Sequence, residues 1–214
     1  MDTKTQLLDE IIQKELLDGC TSEDLSICNG RMGLTLFFFH CFRHTEIQMY
    51  EDVAGELLND ISEDIHTALP IDFQNGLCGI GWGIEYLIQN GYIEVSNDIL
   101  EEIDLKIIEK DIRRMKDFSF ETGLEGIAWY ILLRLNSQEH LESFDDNYQK
   151  ELIETCEKNK GLISGALLSY IKNRNTLQYS FEYIFDRILS ENKNTLSWKN
   201  GLKQLFYETY LSYQ

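Results

Sequence analysis

Gly76-Leu77-Cys78-Gly79-Ile80-Gly81-Trp82-Gly83, followed by Ile84-Glu85-Tyr86-Leu87-Ile88, is a glycine-headed apolar segment, and it recurs down the chain. The heads are Asn29-Gly30-Arg31-Met32-Gly33, Asn75-Gly76-Leu77-Cys78-Gly79, Thr122-Gly123-Leu124-Glu125-Gly126, Lys160-Gly161-Leu162-Ile163-Ser164 and the weaker Asn200-Gly201-Leu202-Lys203-Gln204. Their leading glycines are spaced 46, 47, 38 and 40 residues apart. A period of about 40 to 47 residues is that of two-helix units, each of which needs neighbours to bury its apolar face.

Two kinds of segment alternate with that period. One is amphipathic: Leu7, Leu8, Ile11, Ile12, Leu16 and Leu17 keep one helical stripe, and the pattern returns at Tyr50, Val53, Leu57, Leu58, Ile61 and Ile65. The other follows each head and is apolar nearly all round, as in Leu34-Thr35-Leu36-Phe37-Phe38-Phe39, Trp129-Tyr130-Ile131-Leu132-Leu133 and Ala166-Leu167-Leu168. Helices without a polar face sit inside. The expected fold is all-α, an α/α toroid or open partial toroid of about five helical hairpins. Inner helices running parallel would gather the heads at one end, around a mouth. Paired glycines three residues apart share a helix face and admit a neighbouring backbone.

The chain has 214 residues, one proline (Pro70) and no Ser/Gly-rich stretch, so residues 1–214 read as one continuous domain. Met1-Asp2-Thr3-Lys4 leads into an amphipathic pattern rather than a signal peptide, and no apolar run is long enough to span a membrane. The expected location is cytoplasmic. Five dispersed cysteines with no Cys-x-x-Cys spacing read as reduced thiols. A net charge of −18 argues against nucleic acid and anionic lipid as partners, and leaves a peptide or protein. End hairpins of an incomplete ring would expose apolar faces for a partner or a second copy to cover, so a homo-oligomer is also expected.

The runs at 76–83 and Gly123-Leu124-Glu125-Gly126-Ile127-Ala128-Trp129 resemble the repeats of the lanthionine synthetase C-like family, as do Leu87–Glu94 and Ile99–Asp104. The resemblance extends from about residue 27 to 170. It implies an α/α toroid. In catalytic members it also implies a zinc ion, held by two Cys and one His, that activates cysteine thiols for addition to dehydrated residues of a peptide. One Cys of that pattern lies two residues before a head, and a Cys-His pair directly precedes the next. Cys28 matches the first position, whereas Gln74 and Asn75 stand where the pair belongs.

The expectation is therefore a degenerate, non-catalytic lanthionine cyclase-like protein with no cofactor. It would bind a peptide or protein partner as an accessory to lantibiotic-like peptide biosynthesis. Its binding residues would be Cys28, Asn29, Arg31, Asp72, Gln74, Asn75, Trp82, Glu121, Glu125 and Trp129 around the mouth. Three alternatives stay open. A divergent zinc-dependent cyclase would use Cys28, for instance with Cys20 and Cys78. A carboxylate hydrolase would draw on Asp72, Glu121, Glu125 and Glu85, with Glu85 the group whose apolar neighbours suggest burial. A helical scaffold would have no link to peptide modification. His40 and Cys41 lie roughly 15 Å down their helix from Cys28 and cannot share a metal with it. His44 and His66 read as exposed at helix ends, and His140 as part of a polar connection. Trp82 and Trp129 could serve binding or inter-helix packing.

Overall fold

In the computed structural model the first three heads fold the same way. The N–H of the residue after the glycine donates to a carbonyl seven residues earlier: Arg31 to Asp24 at 2.7 Å, Leu77 to Pro70 at 2.8 Å, and Leu124 to Asp117 at 3.0 Å. The glycines are extended rather than left-handed, so their requirement is steric. A Cβ on Gly30 would stand 2.1 Å from the Asp24 oxygen, and one on Gly76 would stand 2.0 Å from that of Pro70. The turn is braced by side chains, with Asp24 Oδ1 accepting from the Ser26 N–H and Asp117 Oδ1 from the Ser119 N–H.

The structure describes residues 3–18, 21–65, 68–94, 98–136, 144–173, 177–190 and 195–211. Among them are ten α-helices and no strand. The outer helices are α1 (Thr3–Leu17), α3 (Gln48–Asp64), α5 (Asp98–Ile108), α7 (Asp146–Lys158) and α9 (Leu177–Leu189). The inner helices are α2 (Arg31–Thr45), α4 (Leu77–Gln89), α6 (Leu124–Arg134), α8 (Gly165–Asn173) and α10 (Trp198–Leu211). A short 3-10 helix covers Ile112–Arg114. Burial follows the two patterns: α4 is buried from Leu77 to Leu87, whereas α3 buries Tyr50, Ala54, Leu57 and Ile61 on one stripe. None of the described helices is long and apolar enough to cross a membrane.

Two heads lie elsewhere than their glycines suggest. Helix α8 begins at Gly165, and Ser164 Oγ accepts the Leu167 N–H at 3.2 Å; Gly161 stands in an exposed turn with open space around it. Helix α10 begins at Trp198 behind Ser197, whose Oγ accepts the Lys199 N–H at 3.3 Å, so Gly201 is inside the helix. A serine caps the helix through its own side chain and needs no glycine frame. Helix α8 is also not apolar all round, since Ser169 and Lys172 are exposed while Leu167, Tyr170 and Ile171 are buried.

The chain forms two compact units. The first joins residues 1–65 to 185–214, and the second comprises residues 66–184. In the first, α10 runs parallel to α2: Gly33 meets the Trp198 ring, Gly201 meets Phe37, and His40 packs on Phe206. Helix α10 thus covers one side of α2 within this unit. In the second unit α4 and α6 are parallel, with Gln74 N–H on the Glu121 carbonyl at 2.9 Å, Gly81 against Tyr130, and Glu85 against Arg134. Helix α8 continues the row, with Ser164 beside Glu125 and Tyr170 beside Trp129. Within each unit the heads of neighbouring inner helices therefore lie at one end.

Candidate functional site

The residues around the heads divide by what they touch. In the first unit Cys28 is half-buried and Asn29 exposed, in the turn before α2. Arg31 is committed to structure. Its Nε donates to the Ser22 carbonyl at 2.6 Å and its Nη1 to Asp64 at 2.9 Å, tying the head loop to the end of α3. In the second unit Asp72 Oδ1 accepts the Asn75 N–H at 2.7 Å and Gln74 is bridged to the α6 head through its backbone. The side chains of Asn75 and Thr122 are exposed, and those of Gln74 and Glu121 are half-buried. These two heads therefore present a continuous polar surface.

Glu125 faces inward. It is 5% exposed, and its carboxylate accepts the Ser164 N–H at 3.1 Å and the Tyr183 hydroxyl at 2.9 Å. It thereby holds the start of α8 against α6. The two tryptophans are core residues, each 1% exposed. Trp82 stacks on Tyr86 at 5.4 Å and meets Phe181 edge-on; Trp129 packs between Tyr170 and Tyr183. The Trp129 Nε1 finds no acceptor among the described residues. The packing role offered for both in the sequence is what these contacts show.

Glu85 is buried as its apolar neighbours suggested, but its partner is an arginine. Arg134 Nη1 donates to Glu85 at 2.6 Å and Nη2 to Asp104 at 2.8 Å, all three side chains being no more than 1% exposed. Gln89 Nε2 donates to the other Glu85 oxygen at 2.6 Å, and the Tyr130 hydroxyl to Asp104 at 2.6 Å. Burial pushes the Asp104 carboxyl above the usual carboxylate range, against the lowering effect of Arg134 and Tyr130. Both oxygens of Glu85 are thus engaged by donors. Sequence reading missed Asp104 and Arg134. Their signal is a charged residue inside or closing an otherwise apolar stripe.

Most of the described thiols, and the His40 imidazole, are buried. Burial raises the Cys41 and Cys78 thiols well above the ordinary range, and pushes Cys156 up to about 12. Burial, helped by the Arg43 charge, lowers His40 to about 3. His44 is exposed, as expected. Cys20, His66 and His140 lie outside the described residues. Among those described, no three of His, Cys, Asp and Glu gather as a metal site. A zinc ion of the family kind needs thiolate and imidazole where this chain has the carboxamides of Gln74 and Asn75, which supply neither; the donor set does not fit the ion.

A comparison with curated proteins finds no match. The family model for lanthionine synthetase C-like proteins matches residues 21–204. That span takes in the frame of the first three heads, the serine-capped α8 and the start of α10. The chain therefore belongs to the lanthionine synthetase C-like family, and is a lanthionine cyclase-like protein of all-helical, α/α toroid class.

Proposed function

We propose that this protein is non-catalytic and holds no zinc, and that it binds a peptide or protein partner as a cytoplasmic accessory to lantibiotic-like peptide biosynthesis. One observation carries the reading. The seven-residue backbone bond of the glycine frame recurs at Gly30, Gly76 and Gly123, while two of the three positions that match the family's zinc ligands are carboxamides, Gln74 and Asn75. Without the metal, nothing at these positions lowers a substrate thiol's pKa, and thiolate is scarce at neutral pH. Carboxamides offer donors and an acceptor together, the complement of a peptide backbone. Exposed Asn75 and half-buried Gln74 sit on the polar surface formed by the α4 and α6 heads.

Elemental analysis of the purified, tag-free protein beside Cys28→Ala tests the metal half of this reading. The expected result is no stoichiometric zinc in either; near one zinc per chain, lost in the variant, overturns it. Incubation with a dehydrated, cysteine-containing peptide tests turnover, with free thiols counted by alkylation and mass spectrometry. We expect the thiols to persist and the peptide to be retained on immobilised protein. Steady thiol consumption, or no retention, contradicts the proposal.

A further inference from the structure

Four Asn-Gly pairs occur in the chain, at 29–30, 75–76, 90–91 and 200–201. In such a pair the glycine nitrogen, on losing its proton, can attack the asparagine Cγ. The new N–C bond closes a five-membered succinimide ring, and the carboxamide nitrogen leaves as ammonia. Water then opens the ring at either carbonyl and leaves aspartate or isoaspartate, with nothing oxidised or reduced. The attack is favoured where the glycine N–H is not held in a hydrogen bond and the asparagine side chain is free to turn. Glycine, having no Cβ, leaves the approach to its nitrogen open.

Three of the pairs fail the first condition. The Gly30 N–H donates to the Ser26 carbonyl at 3.1 Å, that of Gly91 to Ile88 at 3.0 Å and that of Gly201 to Ser197 at 3.2 Å. Asn90 is also tied through its side chain, Nδ2 donating to the Tyr86 carbonyl at 2.9 Å. Among the described residues the Gly76 N–H makes no hydrogen bond, and neither does the exposed Asn75 side chain. The cause lies in the turn. Asp24 and Asp117 open the first and third heads, and their carboxylates accept the N–H two residues on, from Ser26 at 2.8 Å and Ser119 at 2.9 Å. The carbonyls of those serines then take the glycine N–H, from Gly30 and from Gly123, each at 3.1 Å. The second head opens on Pro70, whose side chain has no acceptor, and the Asp72 carbonyl in the equivalent place takes no bond from Gly76. The third head has Thr122 where the asparagine would stand. Of these three heads, the middle one joins the reactive pair to the unbraced turn.

We propose that Asn75–Gly76 is a site of spontaneous deamidation in the folded protein, converting a carboxamide of the α4 head into a carboxylate. The isoaspartate product also lengthens the main chain by a methylene, directly before the Leu77 N–H that reaches Pro70. Either product places a negative charge on the polar surface shared by the α4 and α6 heads. This chemistry is independent of what that surface binds.

The test is peptide mapping by mass spectrometry of the purified full-length chain, held folded at mildly alkaline pH and sampled over days. Digestion in weak acid limits further conversion, and each converted pair is read as the mass change when ammonia is lost and water added. Asn75 should convert about threefold or more faster than Asn29, Asn90 or Asn200, each of which must first give up a backbone hydrogen bond. Asn29 is the closest control, being exposed in the same kind of turn. In the chain unfolded by urea the four should convert at similar rates, because water then meets every glycine N–H alike. Asn75→Gln should remove the leading acidic species on ion exchange. Asn75 unchanged, or no faster than Asn29, overturns the proposal. The same lead in urea overturns it too, by assigning the preference to neighbouring residues, as does an acidic species undiminished in Asn75→Gln.

Discussion

Replacing Arg134 by methionine leaves two carboxylates, Glu85 and Asp104, in the core of the second unit with no cation between them. Arg134 now engages Asp104 through Nε at 3.1 Å and Nη2 at 2.8 Å, and Glu85 through Nη1 at 2.6 Å. Each acid keeps one neutral donor after the change, Tyr130 for Asp104 and Gln89 for Glu85. Removing one partner of a buried pair costs about 3–5 kcal/mol, and the two surviving donors favour the lower end. For a chain of this length that is roughly 10 °C in melting temperature. The sign with pH is fixed by Asp104, whose folded pKa is raised and rises further without Arg134. Its contribution to stability is fully present below the unfolded pKa and is lost as pH rises through the folded one. Arg134→Met should therefore lie closest to wild type in acid and fall away toward neutrality. Thermal unfolding followed by circular dichroism from about pH 4 to about pH 8 reads this directly. Glu85→Gln/Asp104→Asn/Arg134→Met, which removes every charge, should recover most of the loss. A single variant within about 1 kcal/mol of wild type at neutral pH refutes the burial of this network.

Glycine substitutions should separate by position. Gly76→Ala puts a Cβ 2.0 Å from a backbone oxygen and should cost about 2 kcal/mol or more, whereas Gly55→Ala, with open space inside α3, should stabilise by about 0.5–1 kcal/mol; equal melting temperatures would refute the steric account of the heads. His40 is wholly buried with its pKa lowered to about 3, so its contribution is present above the unfolded value and lost as pH falls. The stability advantage of wild type over His40→Gln should shrink by about 2 kcal/mol between pH 7 and about pH 5, and a pH-independent difference in denaturant midpoints would contradict it.

The helices were legible because their two burial patterns are written as two periodicities, and neighbouring residues suffice to read them. The first three heads were legible for the same reason, since Gly30, Gly76 and Gly123 recur with fixed companions. The fourth and fifth were displaced because Gly161 and Gly201 resemble heads, while Ser164 and Ser197 do the capping through single side-chain hydrogen bonds. The preceding turn was overlooked, although its seven-residue reach from Asp24, Pro70 and Asp117 is regular. The Arg134 network was legible only in part: Glu85, Asp104 and Arg134 stand out as charges in apolar stripes, but they come from α4, α5 and α6 and nothing local marks them as partners. Trp82 and Trp129 were ambiguous between mouth and core, because residues one turn into an inner helix can do either.

The glycine frame and the zinc ligands answer to different demands, and this decides how family membership bears on activity. The frame is a steric need of this chain, since the carbonyls of Asp24 and Pro70 occupy the space a Cβ would take. The side chains of Gln74 and Asn75 take no part in the frame's hydrogen bonds among the described residues, which run through backbone groups and through Asp24, Ser26, Asp72, Asp117 and Ser119. They can change with little cost to folding. Gln74→Cys/Asn75→His should accordingly melt within about 1 kcal/mol of wild type, because Asn75 is exposed and Gln74 half-buried. Thermal unfolding of the double variant beside wild type, followed by circular dichroism, checks this, and a loss of more than about 2 kcal/mol would refute the separation between the steric frame and the residues it carries.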